Sequence, residues 1–231
     1  MRQMVVLCGG AGTRLGKLAG ARQKCMAEVG GQPFLAHVMR SGERWRVNEV
    51  ILLAGHAPGE VLDFAAARRC GPPRVTCHVE RSPQGTIGAL RLVEQQLADE
   101  FLLVLGDVLP PRGHDIWGRL AAVLARTGSA AVMATAAAHE SLDRGNVSAE
   151  GDLVTRYDKN AELPLIDRGT RLLSRSALAR FAGNSDEEFF AGLVRSRVLA
   201  HCMLPGTVLD IGTPDRLALT RRLLRERSAH E

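Results

Sequence analysis

The sequence predicts an α/β protein with a mostly parallel central sheet and helices on both faces. Three observations support this fold class. Short apolar runs alternate with helical patterns between residues 4 and 135, which is the order of elements in a parallel sheet. The runs are almost entirely apolar, as expected of strands that are buried on both faces. The length of 231 residues is enough for one sizeable hydrophobic core.

The elements of this sheet follow one another along the chain. Strands are predicted at residues 4–7, 50–53, 75–79, 101–105 and 129–135. Helices are predicted at residues 34–39, 59–69, 86–97 and 115–125, where apolar residues recur on one face. Ligands of such sheets bind at the carboxyl ends of the strands. The segments that follow the first and fourth strands are therefore expected to share one crevice.

The pattern changes after about residue 141. Two short segments, 146–148 and 153–157, flank a turn at 150–152 and predict a β-hairpin. The sequence contains no linker, internal repeat or low-complexity stretch, so this part is expected to be a lid or subdomain built onto the sheet. We predict one domain over residues 1–231, with a first part at 1–140 and a second part at 141–231.

Composition excludes several classes of protein. The formal net charge is +5, but the basic residues are spread along the chain, and aromatic residues are only 4%, which leaves few platforms for stacking bases. The basic residues that cluster near the end of the chain have helical spacing, typical of a solvated helix face: Arg221, Arg222, Arg225 and Arg227. We therefore expect no nucleic-acid partner.

Apolar runs and cysteines indicate the compartment. No apolar run approaches the length of a membrane span, and no signal peptide precedes the first strand, so we expect a cytoplasmic protein without a membrane partner. The five cysteines lack the paired spacing of zinc sites and are expected to be reduced thiols: Cys8, Cys25, Cys70, Cys77 and Cys202.

A glycine-rich turn directly follows the first strand and is followed by two cations. The turn residues are Leu7, Gly9, Gly10, Ala11, Gly12 and Thr13, and the cations are Arg14 and Lys24. Backbone N–H groups with an arginine and a lysine suit a triphosphate. The spacing is not that of a P-loop, because Leu18 follows Lys17, nor of a dinucleotide fingerprint, because Leu15 replaces the third glycine. The alternative is a turn that serves only the chain path.

Two carboxylates follow apolar runs in distant parts of the chain. Asp107 ends the fourth predicted strand, and Asp210 follows Val208 and Leu209. Mg²⁺ is commonly held by one or two carboxylates together with substrate phosphates and waters, so the pair suggests a magnesium site. Alternatively, Asp107 is a turn residue and Asp210 caps a helix.

These features resemble the sugar-1-phosphate nucleotidyltransferases. The motifs that carry the resemblance are, in chain order, residues 7–15 with Lys24, 83–90, 106–107, 157–159 and 210–214. Together they span residues 4 to about 215. The resemblance implies a Rossmann-like, mostly parallel sheet of the nucleotide-diphospho-sugar transferase type with a small β-rich sugar-binding lid. It also implies transfer of a nucleoside monophosphate to a sugar 1-phosphate with release of pyrophosphate.

The resemblance assigns roles to individual residues. Arg14 and Lys24 would be the catalytic cations, and Asp107 and Asp210 would hold Mg²⁺. The nucleotide-binding residues would be Leu7, Gly9, Gly10, Ala11, Gly12, Thr13, Glu80, Gly85 and Thr86. The sugar-phosphate-binding residues would be Asn146, Lys159 and Asp167, although the Asp167 carboxylate is equally well explained as part of a turn.

The chain departs from the family pattern at two places. Gln23 and Cys25 replace the prolines that usually flank the catalytic lysine, and Cys25 is either a reactive thiol or a packing residue. Residues 166–169 replace the usual Asn-Ala-Gly of the sugar-binding strand. Together with Asn146 and the motif at 157–159, they resemble a subgroup acting on heptose or mannose 1-phosphates.

Glu80 stands where relatives place a base-reading Gln or Glu. A carboxylate only accepts hydrogen bonds, and guanine offers adjacent N1–H and N2–H donors, so Glu80 favours GTP; alternatively it is an exposed charge at a strand end. The expected partners are GTP and a sugar 1-phosphate, with a homodimer as a further possibility. The alternatives are another base or sugar, a non-catalytic nucleotide-sensing module and, disfavoured by Leu15, an oxidoreductase.

Overall fold

The computed structural model describes residues 1–10, 23–68, 70, 72–140 and 144–228. Its strands are β1 Gln3–Cys8, β2 Glu28–Val29, β3 Gln32–Pro33, β4 Glu49–Ala54, β5 Arg74–Val79, β6 Glu100–Leu105, β7 Val108–Leu109, β8 Ala131–Ala137, β9 Val147–Glu150, β10 Leu153–Tyr157, β11 Leu165–Ser174, β12 Leu199–Met203 and β13 Leu209–Asp210. Its helices are α1 Phe34–Arg44, α2 Gly59–Ala66, α3 Gly85–Arg91, α4 Ile116–Thr127, α5 Arg175–Arg180, α6 Asp186–Arg195 and α7 Pro214–Ser228.

A nine-stranded sheet forms the centre of the fold. Its strand order is β5-β4-β1-β6-β11-β8-β12-β10-β9. Strands β10 and β11 run opposite to the other seven. The five predicted strands correspond to β1, β4, β5, β6 and β8, so the prediction of a mostly parallel sheet is confirmed. Two small ladders, β7 with β13 and β2 with β3, lie outside this sheet.

Successive side chains of the strands pack alternately into two hydrophobic layers, one on each face of the sheet. On β1, Met4 and Val6 belong to the layer that packs against α1 and α4, whereas Val5 belongs to the layer that packs against α3 and α6. Every second residue of a strand faces the same side, so a strand that is apolar throughout must be covered on both sides. Phe34 of α1 and Phe189 of α6 are fully buried in these two layers.

The predicted helix at residues 86–97 is shorter in the structure. Helix α3 ends at Arg91, and a 3₁₀ turn follows at Glu94–Gln96. Val93 and Leu97 are both buried in the layer that contains α3. The apolar spacing therefore predicted which side chains are buried, although the continuous helix ends at Arg91.

The predicted hairpin is present, but it extends the main sheet. Strands β9 and β10 pair antiparallel around Gly151, whose φ is +59°. Strand β10 also pairs with β12, so this second part of the chain is continuous with the central sheet. The division at residue 140 into two functional parts stays a prediction. Among the helices of the described residues, none is both long enough and apolar enough to span a membrane.

Candidate active site

Two adjoining clefts open near the carboxyl ends of β1 and β6. The small cleft has a volume of about 310 Å³, and its wall includes Leu7, Gly10, Lys24, Thr86, Leu105 and Asp107. The large cleft has a volume of about 700 Å³, and its wall includes Asp107, Asn146, Lys159, Asp167, Asp210 and Arg216. Leu105, Asp107 and Gly212 line both clefts. Three residues predicted for the nucleotide and the three predicted for the sugar phosphate therefore line neighbouring clefts that meet at Asp107, whereas Gly9, Glu80 and Gly85 are not on the wall of either cleft.

Gly106 brings Asp107 against the end of β1. The Gly106 N–H donates to the Leu7 carbonyl over 2.9 Å. A Cβ atom at this position would lie 2.6 Å from the same carbonyl oxygen, so only glycine permits this approach. The glycine of the motif at 106–107 therefore allows the Asp107 carboxylate to lie beside the glycine turn.

The ladder of β7 with β13 brings the two candidate metal ligands together. Asp210 pairs with Val108, and the Ile211 N–H donates to the Asp107 carbonyl over 3.1 Å. Both carboxylates line the large cleft. Sequence analysis expected a shared crevice for these residues, and the ladder supplies the pairing that places them there.

Lys24 forms an ion pair with Asp107 across the small cleft, and only 9% of Lys24 is exposed. It begins a 3₁₀ turn, Lys24–Met26. Gln23, in the place of the usual proline, is buried, and its side-chain amide donates to the carbonyls of Cys8 and His56. These two bonds tie the turn to the ends of β1 and β4 and so orient Lys24.

Asp210 is held in a fixed orientation by its neighbours. Its Oδ1 accepts from the Gly212 N–H at 2.8 Å, and its Oδ2 accepts from Arg216 Nη1 at 3.1 Å. It does not cap α7, because the Arg216 N–H donates to the hydroxyl of Thr213. The alternative interpretation of Asp210 as a helix cap is therefore wrong.

The chemistry of the pair fits a magnesium ion. Asp107 and Asp210 offer carboxylate oxygens at one cleft, and the described residues contain no group of three or more metal-binding side chains. That set suits Mg²⁺, which takes one or two carboxylates and fills its remaining positions with water and phosphate oxygens. In the structure each carboxylate is paired with a cation, Asp107 with Lys24 and Asp210 with Arg216.

The predicted base-reading segment packs against the turn before α6. Glu80 Oε1 accepts from the Gln84 N–H at 2.5 Å, and Glu80 Oε2 lies 3.8 Å from where a Gly9 Cβ would be. Glu80 therefore lies half-buried beside the glycine turn, and its role in reading the base stays a prediction. Gly85 has a φ of +78°, and the Ile87 N–H donates to the Asn184 carbonyl over 3.0 Å.

Replacement of Gly85 by alanine is expected to destabilise the protein by about 2 kcal/mol. The substitution is strained twice: φ is positive, and the new Cβ would lie 2.6 Å from the Asn184 carbonyl oxygen. Gly113→Ala is the matched control, because Gly113 has a φ of +84° with open space around it. Urea unfolding should show a clearly larger loss for Gly85→Ala, and equal losses would contradict the close approach to Asn184.

The three residues predicted to bind sugar phosphate differ in their environment. Asn146 Oδ1 accepts from the Asp167 N–H at 2.9 Å, which leaves its NH₂ group as a donor. Lys159 is 44% exposed at its side chain and pairs with Asp186. Asp167 is only 4% exposed at its side chain; it accepts from Arg171 and from the Gly169 N–H. Its carboxylate thus makes the turn contact of the alternative interpretation, and a sugar contact stays a prediction.

Arg171 and Asp186 are charged residues that sequence reasoning did not select. Arg171 is buried in β11 between Asp167 and Asp186, with its guanidinium 4.6 Å from the centre of the Phe190 ring. Burial alone would raise the pKa of Asp186, but the charges of Arg171 and Lys159 outweigh it and hold the pKa below its usual value. No local sequence pattern singled out Arg171, because β11 also contains Asp167 and Arg168.

Some predicted residues lie outside the described ranges, namely Ala11, Gly12, Thr13 and Arg14. Cys25 can be judged: it is 2% exposed and packs in the core. A hydrogen bond with the Cys25 thiol, together with burial, raises the pKa of Cys8 well above its usual value. The two thiols are therefore packed together, which favours the packing role of Cys25.

Comparison with known proteins places the chain among the nucleotidyltransferases. Within that class, residues 4–201 match the family model of the MobA-like NTP transferase domain, and the chain belongs to this family. The sequence motifs predicted a resemblance to the sugar-1-phosphate nucleotidyltransferases. This resemblance is confirmed by the family match and by relatives that are named as sugar-1-phosphate nucleotidyltransferases.

Similar proteins carry names from this enzyme class. Mannose-1-phosphate guanylyltransferase 1 of Arabidopsis thaliana is 26% identical over 224 residues, which cover 91% of this chain and 61% of that protein. The UTP–glucose-1-phosphate uridylyltransferase AglF of Haloferax volcanii is 31% identical over 105 residues, 46% of this chain and 43% of that protein. This chain thus spans less than two thirds of the length of these curated relatives.

Solved structures show the same fold. HddC from Yersinia pseudotuberculosis complexed with GMP-PN superimposes with a TM-score of 0.79 at 22% identity, covering 97% of this chain and 100% of HddC. The α/β fold class is therefore confirmed over almost the whole chain.

Proposed function

We propose that this protein transfers the nucleoside monophosphate of GTP to a sugar 1-phosphate, releasing pyrophosphate and forming a GDP-sugar. One observation carries the proposal: residues suited to a nucleotide and residues suited to a sugar phosphate line two clefts that meet at Asp107, and Lys24 pairs with Asp107 from the small cleft. The guanylyltransferase names of the relatives support GTP as the donor. The second, uridylyltransferase relative makes UTP the alternative donor.

The reaction needs positioning and charge neutralisation more than proton transfer. A phosphate oxygen of the sugar 1-phosphate attacks the α-phosphorus of GTP in line, one P–O bond forms, and the bond to pyrophosphate breaks. The attacking phosphate is already largely ionised at neutral pH because its second pKa is about 6, so no general base is needed. Lys24 contributes a fixed positive charge beside the reacting phosphates.

The remaining residues bind and orient the two substrates. The N–H groups of Gly9 and Gly10 would meet the phosphates of the nucleotide, and Asn146 and Lys159 would meet the sugar phosphate from the large cleft. Asp107 and Asp210 would hold Mg²⁺. When bound, that ion neutralises phosphate charge and favours departure of pyrophosphate.

The sugar and the biological setting are finer parts of the proposal. The motifs at 146, 157–159 and 166–169 favour D-glycero-α-D-manno-heptose 1-phosphate, and the names of the relatives make mannose 1-phosphate the main alternative. Such a product would feed capsule polysaccharide or lipopolysaccharide synthesis, with the enzyme acting in the cytoplasm. A homodimer stays a prediction.

Pyrophosphate release tests the proposal directly. The assay crosses GTP, ATP, UTP, CTP and dTTP with heptose, mannose and glucose 1-phosphates, with Mg²⁺ and again with a chelator. Release with GTP and heptose 1-phosphate, lost on chelation, is the expected result. Release with a different pair corrects the specificity but keeps the reaction. The absence of release with every pair would overturn the enzyme proposal in favour of a nucleotide-sensing module.

Glu80→Gln is expected to reduce the preference for GTP over UTP by about tenfold. A carboxylate accepts both N1–H and N2–H of guanine, whereas an amide offers only one acceptor oxygen. The measurement is the ratio of kcat/KM for the two nucleotides. Glu150→Gln, a change of the same kind at the exposed end of β9, is the control. An unchanged ratio in Glu80→Gln would remove the argument for guanine.

A further inference from the structure

Asp186 contacts one residue on the wall of the large cleft and one residue in the buried interior. Its Oδ2 lies 3.2 Å from Lys159 Nζ, which is at the cleft wall, and 3.4 Å from Arg171 Nη2, which is buried. The Asp186 side chain itself is 8% exposed. One carboxylate oxygen therefore contacts both a cation at the cleft and a cation in the core.

The backbone around Asp186 is firmly anchored. Ser185 caps α6, with its hydroxyl accepting from the Glu188 N–H at 3.2 Å. On the other side, the Arg91 guanidinium donates to the carbonyls of Gly183 and Phe181, each over 2.8 Å. Asp186 therefore sits at a fixed helix start, from which its carboxylate has little freedom to move.

The charge balance shows that Asp186 is not needed to neutralise Arg171. Asp167 already accepts from Arg171 through Nε, at 3.1 Å, and through Nη2. Asp186 adds a second buried negative charge, and the cluster of two acids and Arg171 becomes neutral only when Lys159 is included. Burying an unbalanced carboxylate is costly, so the cluster attracts the Lys159 ammonium.

We infer that Asp186 is a positioning residue that holds Lys159 Nζ at the large cleft in the orientation that receives the phosphate of the sugar 1-phosphate. This inference rests on the proposed function. Lysine has a flexible four-carbon stem and three N–H donors. Asp186 accepts one of the three and fixes the stem, which leaves the other two for phosphate oxygens. Fixing the side chain in advance lowers the entropy lost on binding.

A double-mutant cycle tests whether Asp186 acts through Lys159. Asp186→Asn, Lys159→Met and the double variant are compared with the unmodified protein by calorimetric titration with mannose 1-phosphate. Each single change is expected to weaken binding about tenfold. The double variant should bind within about twofold of Lys159→Met, because the two changes remove the same contact. Asp186→Glu, which keeps the charge, should recover part of the affinity.

Controls separate positioning from general damage. Asp186 also accepts a hydrogen bond from Thr86, a predicted nucleotide-binding residue, so the GTP control uses the variant that leaves this contact intact. Lys159→Met should keep its GTP affinity within about twofold, and Asp152→Asn, at an exposed turn, should change neither affinity. Additive losses in the double variant, or a tenfold loss of GTP affinity in Lys159→Met, would overturn the inference.

Failure of the proposed function would appear differently. It would show as an unmodified protein that releases no pyrophosphate with any substrate pair. The same cycle is then measured with inorganic phosphate as the probe. Additive losses, or no phosphate binding even by the unmodified protein, would overturn the role of Asp186 separately.

Discussion

Lys24→Ala should lower kcat by about a hundredfold or more and leave the fold intact. Lys24 lines the small cleft and is paired with Asp107, which lines both clefts, and a charge fixed beside the reacting phosphates stabilises the transition state. The fold should tolerate the change, because the Asp107 side chain left without its partner is 32% exposed and can be hydrated. The measurement is steady-state pyrophosphate release.

Two further variants make the result interpretable. Arg126→Ala removes a surface cation that pairs with Asp152, and it should leave kcat unchanged. Lys24→Arg keeps the charge but changes its shape, so it should retain more activity than Lys24→Ala. If Lys24→Ala releases pyrophosphate at the normal rate, Lys24 has no catalytic role.

The second large effect concerns stability. Arg171→Met is expected to reduce the free energy of unfolding by about 3–5 kcal/mol. Arg171 is 2% exposed, and its removal leaves the carboxylates of Asp167 and Asp186 buried without their main partner. Urea unfolding measures the loss. Arg175→Met is the control, because its partner Asp99 is 91% exposed; a surface pair contributes about 0–1 kcal/mol.

The same variant gives a pH signature. The pKa of Asp186 is held below its usual value in the folded protein, so the stability it contributes is present above about pH 4 and is lost as pH falls through the folded pKa. The difference between the unmodified protein and Arg171→Met should therefore narrow below about pH 4. A constant difference across that range would show that lost packing, rather than lost charge pairing, causes the instability.

Sequence patterns predicted the first half of the sheet well and the second half poorly. Strands β1, β4 and β6 are apolar after their first residue, because helices cover both of their faces, and such runs are easy to recognise. Only residues 166–169 of β11 were expected in a strand, from the family resemblance; its extension to Ser174 and its pairing with β6 and β8 at the centre of the sheet were not predicted. Its pattern is interrupted by Asp167 and Arg171, and the register shifts between these two residues.

Some residues of the candidate site could be predicted from the sequence, and others could not. Local motifs predicted Lys24, Asp107 and Asp210, since each follows a strand end or a glycine turn. The partners of these residues could not be predicted, because they depend on pairings between distant segments. Asp186 is an example: in the sequence it looks like an ordinary acidic residue in the first turn of a helix. Its contact with Lys159 exists only once α6 packs beside β10.

The two clefts are lined mostly by different parts of the chain. Away from the shared wall, the small cleft is lined by early residues such as Leu7, Gly10 and Thr86, and the large cleft by later residues such as Asn146 and Lys159. Substitutions in the later half can therefore reshape the large cleft without touching most atoms that face the small one. Under the proposed function, the specificity for the sugar 1-phosphate can change during evolution while the specificity for the nucleotide donor stays the same.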